Sequence, residues 1–183
     1  RMERNQVELN LIDTPGHVDF SYEVSRSLAA VEGAILLVDA LQGIQAQTLA
    51  NLDLARRQGL TLVPVVNKID LRSADVDSVV RDLSQVTGVA PNDVLRISAK
   101  TGEGVADLLD ALVARVPPPR GDSRRPFRGL IFDSAFDPHK GVVLFVRTVD
   151  GQLETSEPIA FAASRAEATA LEHVAAVASG HAA

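Results

Sequence analysis

The chain contains no cysteine and no long hydrophobic run. Without cysteine it has no disulfide partner and no thiolate metal site, which fits a protein of the reducing cytoplasm. No apolar run approaches the roughly 18 residues that a transmembrane helix needs, and we expect no signal peptide. These features argue against a disulfide-rich secreted scaffold and against a protein anchored by a spanning helix.

A predominantly basic surface is also lacking. The 24 aspartate and glutamate residues outnumber the 18 lysine and arginine residues, and the formal net charge is −6. We therefore expect no binding to DNA, and any contact with RNA would be local or made by other parts of the protein. The first residue is Arg1 rather than methionine, so we expect that the sequence is cut from a longer chain.

Apolar runs and amphipathic segments alternate along the first two thirds of the chain. This order predicts a parallel α/β sheet with crossover helices. The predicted strands cover residues 7–12, 33–39, 60–67 and 94–97, and the predicted helices cover residues 22–31, 45–58, 75–87 and 103–116.

The pattern changes after three consecutive prolines at positions 117–119. Strand-like runs then cover residues 130–136, 141–149 and 153–161, with turns predicted at Asp137-Pro138 and Asp150-Gly151. We therefore predict a first domain over residues 1–116, a linker over 117–128 and an all-β domain over 129–183. The four arginines of the linker are either a solvated connection or a strip that contacts phosphates.

The segment Asp13-Thr14-Pro15-Gly16-His17 follows the first predicted strand. A carboxylate at Asp13 can hold Mg²⁺, directly or through water, and Mg²⁺ bridges the β- and γ-phosphates in P-loop GTPases. Gly16 lets a backbone N–H approach the γ-phosphate. His17 would stand beside the attacking water. The alternative is an ordinary turn with an exposed histidine.

Two further motifs follow buried strands, at the sheet edge where α/β proteins bind ligands. Asp70 can accept two hydrogen bonds from the N1–H and 2-amino group of guanine, which adenine does not offer. In the same motif, Lys68 can lay its aliphatic stem on the base, and Asn67 can tie neighbouring loops together. The alternative is a polar loop before a helix. Asp39, which ends another strand, is read as a cap or turn residue.

The third motif is Ser98-Ala99-Lys100, which would offer the Ala99 backbone N–H to guanine O6. This motif indicates a base-binding loop only because it lies after Asp70 and before a predicted helix. No G-x-x-x-x-G-K-[ST] phosphate loop occurs in the sequence. The chain therefore has candidate guanine-binding residues but not the motif that grips phosphates.

Together these residues resemble the translational GTPases, and among them the elongation factor 4 (LepA) type. The resemblance rests on residues 13–30, 45–51, 63–71, 98–105 and the prolines at 117–119. It implies a P-loop GTPase (Ras-like) G domain that lacks its first strand and phosphate loop, followed by part of an all-β barrel domain. The phosphate loop and the switch threonine would lie upstream.

The resemblance also implies roles and partners. Asp13 would be the Mg²⁺-linked residue, Gly16 the γ-phosphate sensor and His17 the residue that orients water. GTP or GDP would be held at the base by Asn67, Lys68, Asp70, Ser98, Ala99 and Lys100. The intact protein would hydrolyse GTP on the ribosome, contacting rRNA beside bound tRNA, and support back-translocation and translation fidelity. It would be cytoplasmic, with possible peripheral association with the cell membrane.

Two alternatives stay open: a fragment of an initiation factor 2-like GTPase, and a non-enzymatic interaction module that keeps the nucleotide loops and the barrel. In sheets of this family, the missing strand would lie between residues 7–12 and 33–39. We therefore expect the isolated chain to be unstable, oligomeric or collapsed so that these two segments pair. We also expect weak or undetectable GTP binding and no hydrolysis by this chain alone.

Overall fold

The computed structural model describes residues 2–14 and 21–171. The chain divides into two compact units, Arg1–Pro118 and Pro119–Ala183. Within the described ranges, no helix combines the length and the hydropathy needed to cross a membrane.

The first unit alternates strands and helices, as the sequence predicts. Its strands are β1 (Met2–Arg4), β2 (Val7–Leu9), β3 (Gly33–Asp39), β4 (Thr61–Asn67) and β5 (Leu95–Arg96). Its α-helices are α1 (Ser21–Leu28), α2 (Ala46–Arg57), α3 (Val76–Thr87) and α4 (Val105–Arg115), and Pro91–Asp93 forms one turn of 3₁₀ helix.

Strands β3, β4 and β5 form a parallel sheet in that order, which confirms the predicted α/β architecture. The pairing of β3 with β4 runs from Gly33 opposite Thr61 to Asp39 opposite Asn67. Because the strands are parallel and in register, their carboxyl ends lie side by side. The polar residues that end them therefore share one edge of the sheet.

Pro64 occupies the middle of the central strand, where a missing N–H would normally break the ladder. The Val66 carbonyl accepts from Ile97 on the β5 side, whereas the Asn67 carbonyl accepts from Ala40 on the β3 side. Residues two apart direct their backbone groups to the same side, so Pro64 lacks its N–H on the β5 side. The β5 ladder begins only at Val65, so the missing donor has no partner to lose.

Helices cover both faces of this sheet. On one face, buried residues of β3 and β4 pack against α2 and α3; the cluster includes Leu36, Val38, Leu52, Val66 and Leu83. On the other face, Val63, Val65 and Ile97 pack against Leu108 of α4. The residues that follow β4 and β5 are thus held by a rigid, apolar base.

Residues 7–12 do not form the predicted strand of the parallel sheet. The strand ends at Leu9, and β2 pairs only with β1, antiparallel, with Arg4 opposite Val7. Asn5 and Gln6 both adopt positive φ, 52° and 64°, which makes the tight two-residue turn of a hairpin. The expected pairing of residues 7–12 with 33–39 is therefore wrong.

The second unit contains strands only, in its described part. Strands β6 (Arg128–Asp137) and β7 (Gly141–Asp150) form an antiparallel hairpin, with its turn at the predicted Asp137-Pro138. Short strands β8 (Pro158–Ala160) and β9 (Glu167–Thr169) form a second antiparallel pair. The described residues thus form two ribbons and no closed barrel.

The hairpin predicted at Asp150-Gly151 is wrong, because β7 pairs with β6 and not with the strand that follows. The predicted strand over residues 153–161 shortens to β8. Instead of turning the chain into a hairpin, the Asp150 side chain accepts a hydrogen bond from the backbone N–H of Asp122 at 3.0 Å.

Candidate functional site

A cavity of about 250 Å³ lies where β4 and β5 end. The site residues that the sequence analysis assigned to the base meet here. The lining residues are Asn67, Lys68, Asp70, Leu71, Ala99 and Lys100. The cavity is therefore built from the two loops that follow neighbouring parallel strands.

Asn67 joins these two loops. Its Oδ1 accepts a hydrogen bond from its neighbour's backbone, Lys68 N, at 2.8 Å, and another from Ala99 N at 3.0 Å. Lys68 has a φ of 68°, a left-handed conformation that is uncommon for a residue with a side chain. The Asn67 side chain thus supports an otherwise costly backbone turn, in the tying role that the sequence analysis assigned to it.

Ser98 lies beneath the cavity and is fully buried, with 0% of its surface exposed. Its Oγ donates to Asp70 Oδ1 at 2.7 Å and accepts from Thr101 N at 3.1 Å. The second carboxylate oxygen, Asp70 Oδ2, has no hydrogen-bond partner among the described residues. One oxygen of Asp70 is therefore anchored from below, and the other remains available to a ligand.

The loop that holds Ser98 closes on itself. Ser98 N donates to the Glu103 carbonyl at 2.9 Å, and Gly102 N donates to the Ser98 carbonyl at 2.8 Å. Gly104, with a φ of 70°, ends this loop against the Arg96 carbonyl, and a Cβ at Gly104 would lie 2.2 Å from that oxygen. Only glycine permits this close approach, which fixes the loop beside β5.

Lys68 forms an ion pair with Asp39 across the ends of β4 and β3, with Nζ 2.5 Å from Asp39 Oδ2. Asp39 also accepts from Leu41 N at 2.8 Å, in the turn role that the sequence analysis gave it. The Lys68 ammonium, followed by the Leu41 N–H, holds the pKa of Asp39 below its usual value. The ion pair was missed from the sequence because it depends on the register of β3 with β4.

The two backbone donors of the third motif differ in availability. Ala99 N–H, predicted to donate to guanine O6, already donates to Asn67 Oδ1. Lys100 N–H has no hydrogen-bond partner among the described residues and lies beside it on the cavity wall. Sequence reasoning missed Lys100 N–H as a donor, because the engagement of Ala99 appears only in three dimensions.

The first motif is described only in part. Asp13 is exposed and lies in the loop after β2, and no hydrogen bond or ion pair among the described residues joins it to the cavity. Gly16 and His17 lie outside the described residues. Over residues 2–14 and 21–171, no group of three or more histidine, aspartate or glutamate side chains forms a ready metal site. Asp13 would thus contribute a single carboxylate.

Comparisons with known proteins identify the family of the chain. Residues 1–118 match the family described as the elongation factor Tu GTP binding domain. The chain is 63% identical over 151 residues, or 82% of its length, to elongation factor 4 of Thermobifida fusca. It is 57% identical over 156 residues, or 85% of its length, to elongation factor 4 of Chlorobium luteolum. It is 57% identical over 164 residues, or 90% of its length, to elongation factor 4 of Mycobacterium leprae.

The chain spans only about a quarter of these relatives, 25%, 26% and 25% of their lengths respectively. In this chain, the family match covers the whole first unit, including the cavity and the loops that build it. The chain belongs to the elongation factor Tu GTP-binding domain family, and most of its length is similar to proteins named elongation factor 4, as its motifs indicated.

Proposed function

We propose that the cavity at the ends of β4 and β5 binds the guanine base of GTP and GDP. The observation that supports this most strongly is that the two carboxylate oxygens of Asp70 differ in their hydrogen bonding. Ser98 anchors Oδ1 at 2.7 Å, and Oδ2 has no partner among the described residues. The carboxylate is thereby oriented before the base arrives, so little freedom is lost on binding.

Asp70 would select guanine by hydrogen-bond pattern. A carboxylate only accepts hydrogen bonds, and each of its oxygens has two lone pairs. Oδ1 can therefore continue to accept from the Ser98 hydroxyl while the carboxylate also accepts hydrogen bonds from the N1–H and the 2-amino group of guanine. Adenine has no donor at those two ring positions, so it would leave the carboxylate unpaired and desolvated.

Two further contacts would complete base recognition. The Lys68 stem would cover one face of the base while its ammonium stays paired with Asp39. The Lys100 N–H would donate to guanine O6. The Ala99 N–H would form a bifurcated hydrogen bond to guanine O6 and Asn67 Oδ1. The Asn67 bridge would keep these donors in place.

The first motif, residues 13–17, would bind Mg²⁺ and contact the γ-phosphate. Mg²⁺ binds proteins through one or two carboxylates and completes its shell with phosphate oxygens and water, so one exposed carboxylate at Asp13 fits it. When bound, the ion neutralises charge on the β- and γ-phosphates. Gly16 would sense the γ-phosphate and His17 would orient the attacking water.

The whole protein would couple GTP hydrolysis to work on the ribosome, in contact with rRNA and bound tRNA, and so support back-translocation and translation fidelity. It would act in the cytoplasm, with peripheral attachment to the membrane as an additional location. The identity of 57–63% to proteins named elongation factor 4 supports this over the initiation factor 2 alternative. The present chain, without a phosphate-loop motif, would hold the nucleotide weakly and would not hydrolyse it.

The test is the binding of a fluorescent GDP analogue with Mg²⁺ to this chain and to a longer form that carries a phosphate loop. We expect tight binding by the longer form, with displacement by GDP and not by ADP, and weak binding by this chain. Tight binding by both would refute the weak-binding proposal. Binding by neither would refute guanine recognition and favour the non-enzymatic module.

A further inference from the structure

A second cavity, of about 370 Å³, lies in the second unit, where the segment after the prolines meets the end of β7. Its lining includes Arg120, Asp122, Arg125, Arg128 and Asp150. Residues 120–128 contain four arginines and one aspartate, in a chain whose net charge is −6. This segment is therefore a local positive region on an acidic protein.

Asp150 fixes the shape of this region. Its side chain is only 10% exposed, and Oδ2 pairs with Arg128 Nη2 at 2.8 Å. Oδ1 accepts from Asp122 N at 3.0 Å. The Asp122 carbonyl in turn accepts from Gly151 N at 3.0 Å and from Arg125 N at 3.1 Å. The Asp150 carboxylate and the two backbone donors Asp122 N and Gly151 N thus tie the arginine segment to the end of β7, and the Arg125 N–H closes a turn within the segment.

Gly121 allows the segment to lie this close to the strand. A Cβ at Gly121 would lie 2.1 Å from the Val149 carbonyl oxygen, well inside van der Waals contact. Any larger residue would push the segment away from β7. The position of the neighbouring Arg120 is therefore set by packing against the backbone of the strand.

Of the four arginines, two form ion pairs with aspartates and two do not. Arg128 is held by Asp150, and Arg124 forms a two-pronged pair with Asp122, at 3.0 and 3.1 Å. The hydrogen bonds from Arg124 lower the pKa of Asp122 to about 2. The side chains of Arg120 and Arg125 are exposed and make no ion pair or hydrogen bond among the described residues. Two guanidinium groups with free hydrogen-bond donors therefore line a cavity whose backbone is already fixed, although the charge of Arg125 also acts on Asp122.

We propose that this arginine cavity, with Arg120 and Arg125 as its contacting residues, binds backbone phosphates of RNA. Guanidinium groups present a planar fork of donors that matches phosphate oxygens. The site is open, whereas sites for small molecules bury most of their ligand, so an extended polyanion fits it better than a free anion. Contacts of this kind position a protein on RNA without reading sequence.

This inference goes beyond the guanine site and depends on the proposed ribosomal function only in taking RNA as the source of the phosphate. The test measures binding of the full chain to a fluorescent RNA duplex across a salt series, without nucleotide. The double substitution Arg120→Ala/Arg125→Ala removes both contacts. The control Arg57→Ala/Arg81→Ala removes the same charge from two exposed helix positions in the first unit.

We expect the Arg120/Arg125 variant to lose about tenfold or more in affinity, and its salt dependence to fall by about 2 in log–log slope, about 1 per phosphate contact. The control should change little. Arg120→Lys/Arg125→Lys should keep most of the salt slope while losing severalfold in affinity, because lysine cannot form the fork. Both arginines are exposed, and circular dichroism will confirm that the variants keep the fold.

Equal losses in the two double-alanine variants would overturn the proposal, since net charge alone would then explain binding. Displacement of RNA by inorganic pyrophosphate at equal phosphate concentration would also overturn it, in favour of a free-anion site. A separate titration with the fluorescent GDP analogue distinguishes the two proposals. RNA binding that depends on Arg120 and Arg125, with no guanine binding by either this chain or the longer form, would uphold this inference and refute the proposed function.

Discussion

The buried hydroxyl of Ser98 donates a 2.7 Å hydrogen bond to one oxygen of Asp70 and so orients a carboxylate that reached the site from a different strand. The two residues follow β5 and β4, and the parallel pairing of those strands brings them together. Ser98 thus acts on the cavity from below, without lining it.

Replacing Ser98 with alanine should weaken both the fold and the site. The substitution removes the Asp70 bond and leaves Thr101 N without an acceptor, so we expect a loss of about 1–3 kcal/mol in the free energy of unfolding. Guanine affinity should fall severalfold because Asp70 is no longer oriented. Urea unfolding and nucleotide titration measure the two effects.

Ser84→Ala is the matched control, because Ser84 Oγ donates to the Val89 carbonyl at 2.7 Å in the loop after α3. It should cost similar stability and leave guanine affinity unchanged. If both variants lost affinity equally, Ser98 would have only a structural role.

Comparing alanine substitutions at Gly104 and Gly102 separates the energetic cost of close packing from the cost of backbone conformation. Both have positive φ, 70° and 84°, so alanine costs about 1–2 kcal/mol at either position. Only at Gly104 does a Cβ meet the Arg96 carbonyl, at 2.2 Å, whereas nothing lies within 4 Å at Gly102. We expect Gly104→Ala to destabilise the protein by about 1–3 kcal/mol more than Gly102→Ala in urea unfolding. Equal effects would mean that the loop can move away from β5 at no cost.

The Asp39–Lys68 pair should make stability depend on pH in the acid range. The pKa of Asp39 is lower in the folded protein than the ordinary value near 3.8, so its contribution to stability is complete above about pH 4. That contribution is lost as pH falls through the lowered pKa. The stability advantage of the natural chain over Asp39→Asn should therefore shrink as the pH falls from 5 to 2.

Urea unfolding of Asp39→Asn, Lys68→Met and the double variant at pH 5 and at pH 3 measures this dependence. The double variant should lose less stability than the sum of the two single losses, because the two residues share one interaction. Strictly additive losses at pH 5 would contradict the ion pair.

Arg4 ties the β1–β2 hairpin to α4. Its Nε and Nη2 each donate to a different oxygen of Asp110 at 2.7 Å, and the Arg4 guanidinium lowers the pKa of that carboxyl. In Asp110→Ala we expect faster amide hydrogen exchange across the hairpin, with little change at β4. Asp107→Ala, on the same helix, is the control: Asp107 acts on Arg4 only through its charge, so exchange in the hairpin should change much less than in Asp110→Ala. Unchanged exchange in both variants would show that the hairpin is held by other contacts.

Local signals in the sequence were enough to predict the helices and three of the four strands assigned to the parallel sheet. For α3, Asp75 accepts from Ser78 N at 3.0 Å and Gly88 ends the helix, as their residue types indicate. The hairpin turn at Asn5-Gln6 was missed because neither residue is glycine and both adopt positive φ. Asn5 favours such a turn, but Gln6 stands where a two-residue turn usually has glycine.

Contacts between distant residues were not predictable in the same way. Asp150-Gly151 resembles a hairpin turn locally, yet the Asp150 carboxylate is engaged by Asp122 N and Arg128 in the folded unit. Likewise, the two motifs assigned to the base could be recognised from their residues and their order in the chain, but the Ser98–Asp70 bond and the Lys68–Asp39 pair follow from strand register. Register is a property of the assembled sheet rather than of any one motif.

Guanine recognition by Asp70 is tested most directly by following backbone amide signals of this chain in NMR titrations with GDP, ADP and xanthosine diphosphate. GDP should shift the amides of residues 67–71 and 98–101, and ADP should not. Asp70→Asn replaces one acceptor with a donor, which complements the N1–H and 2-oxo group of xanthine, so this variant should respond to the xanthine nucleotide and no longer to GDP. If GDP and ADP shifted the same amides equally, or if Asp70→Asn kept its preference for GDP, the cavity would not be a guanine site.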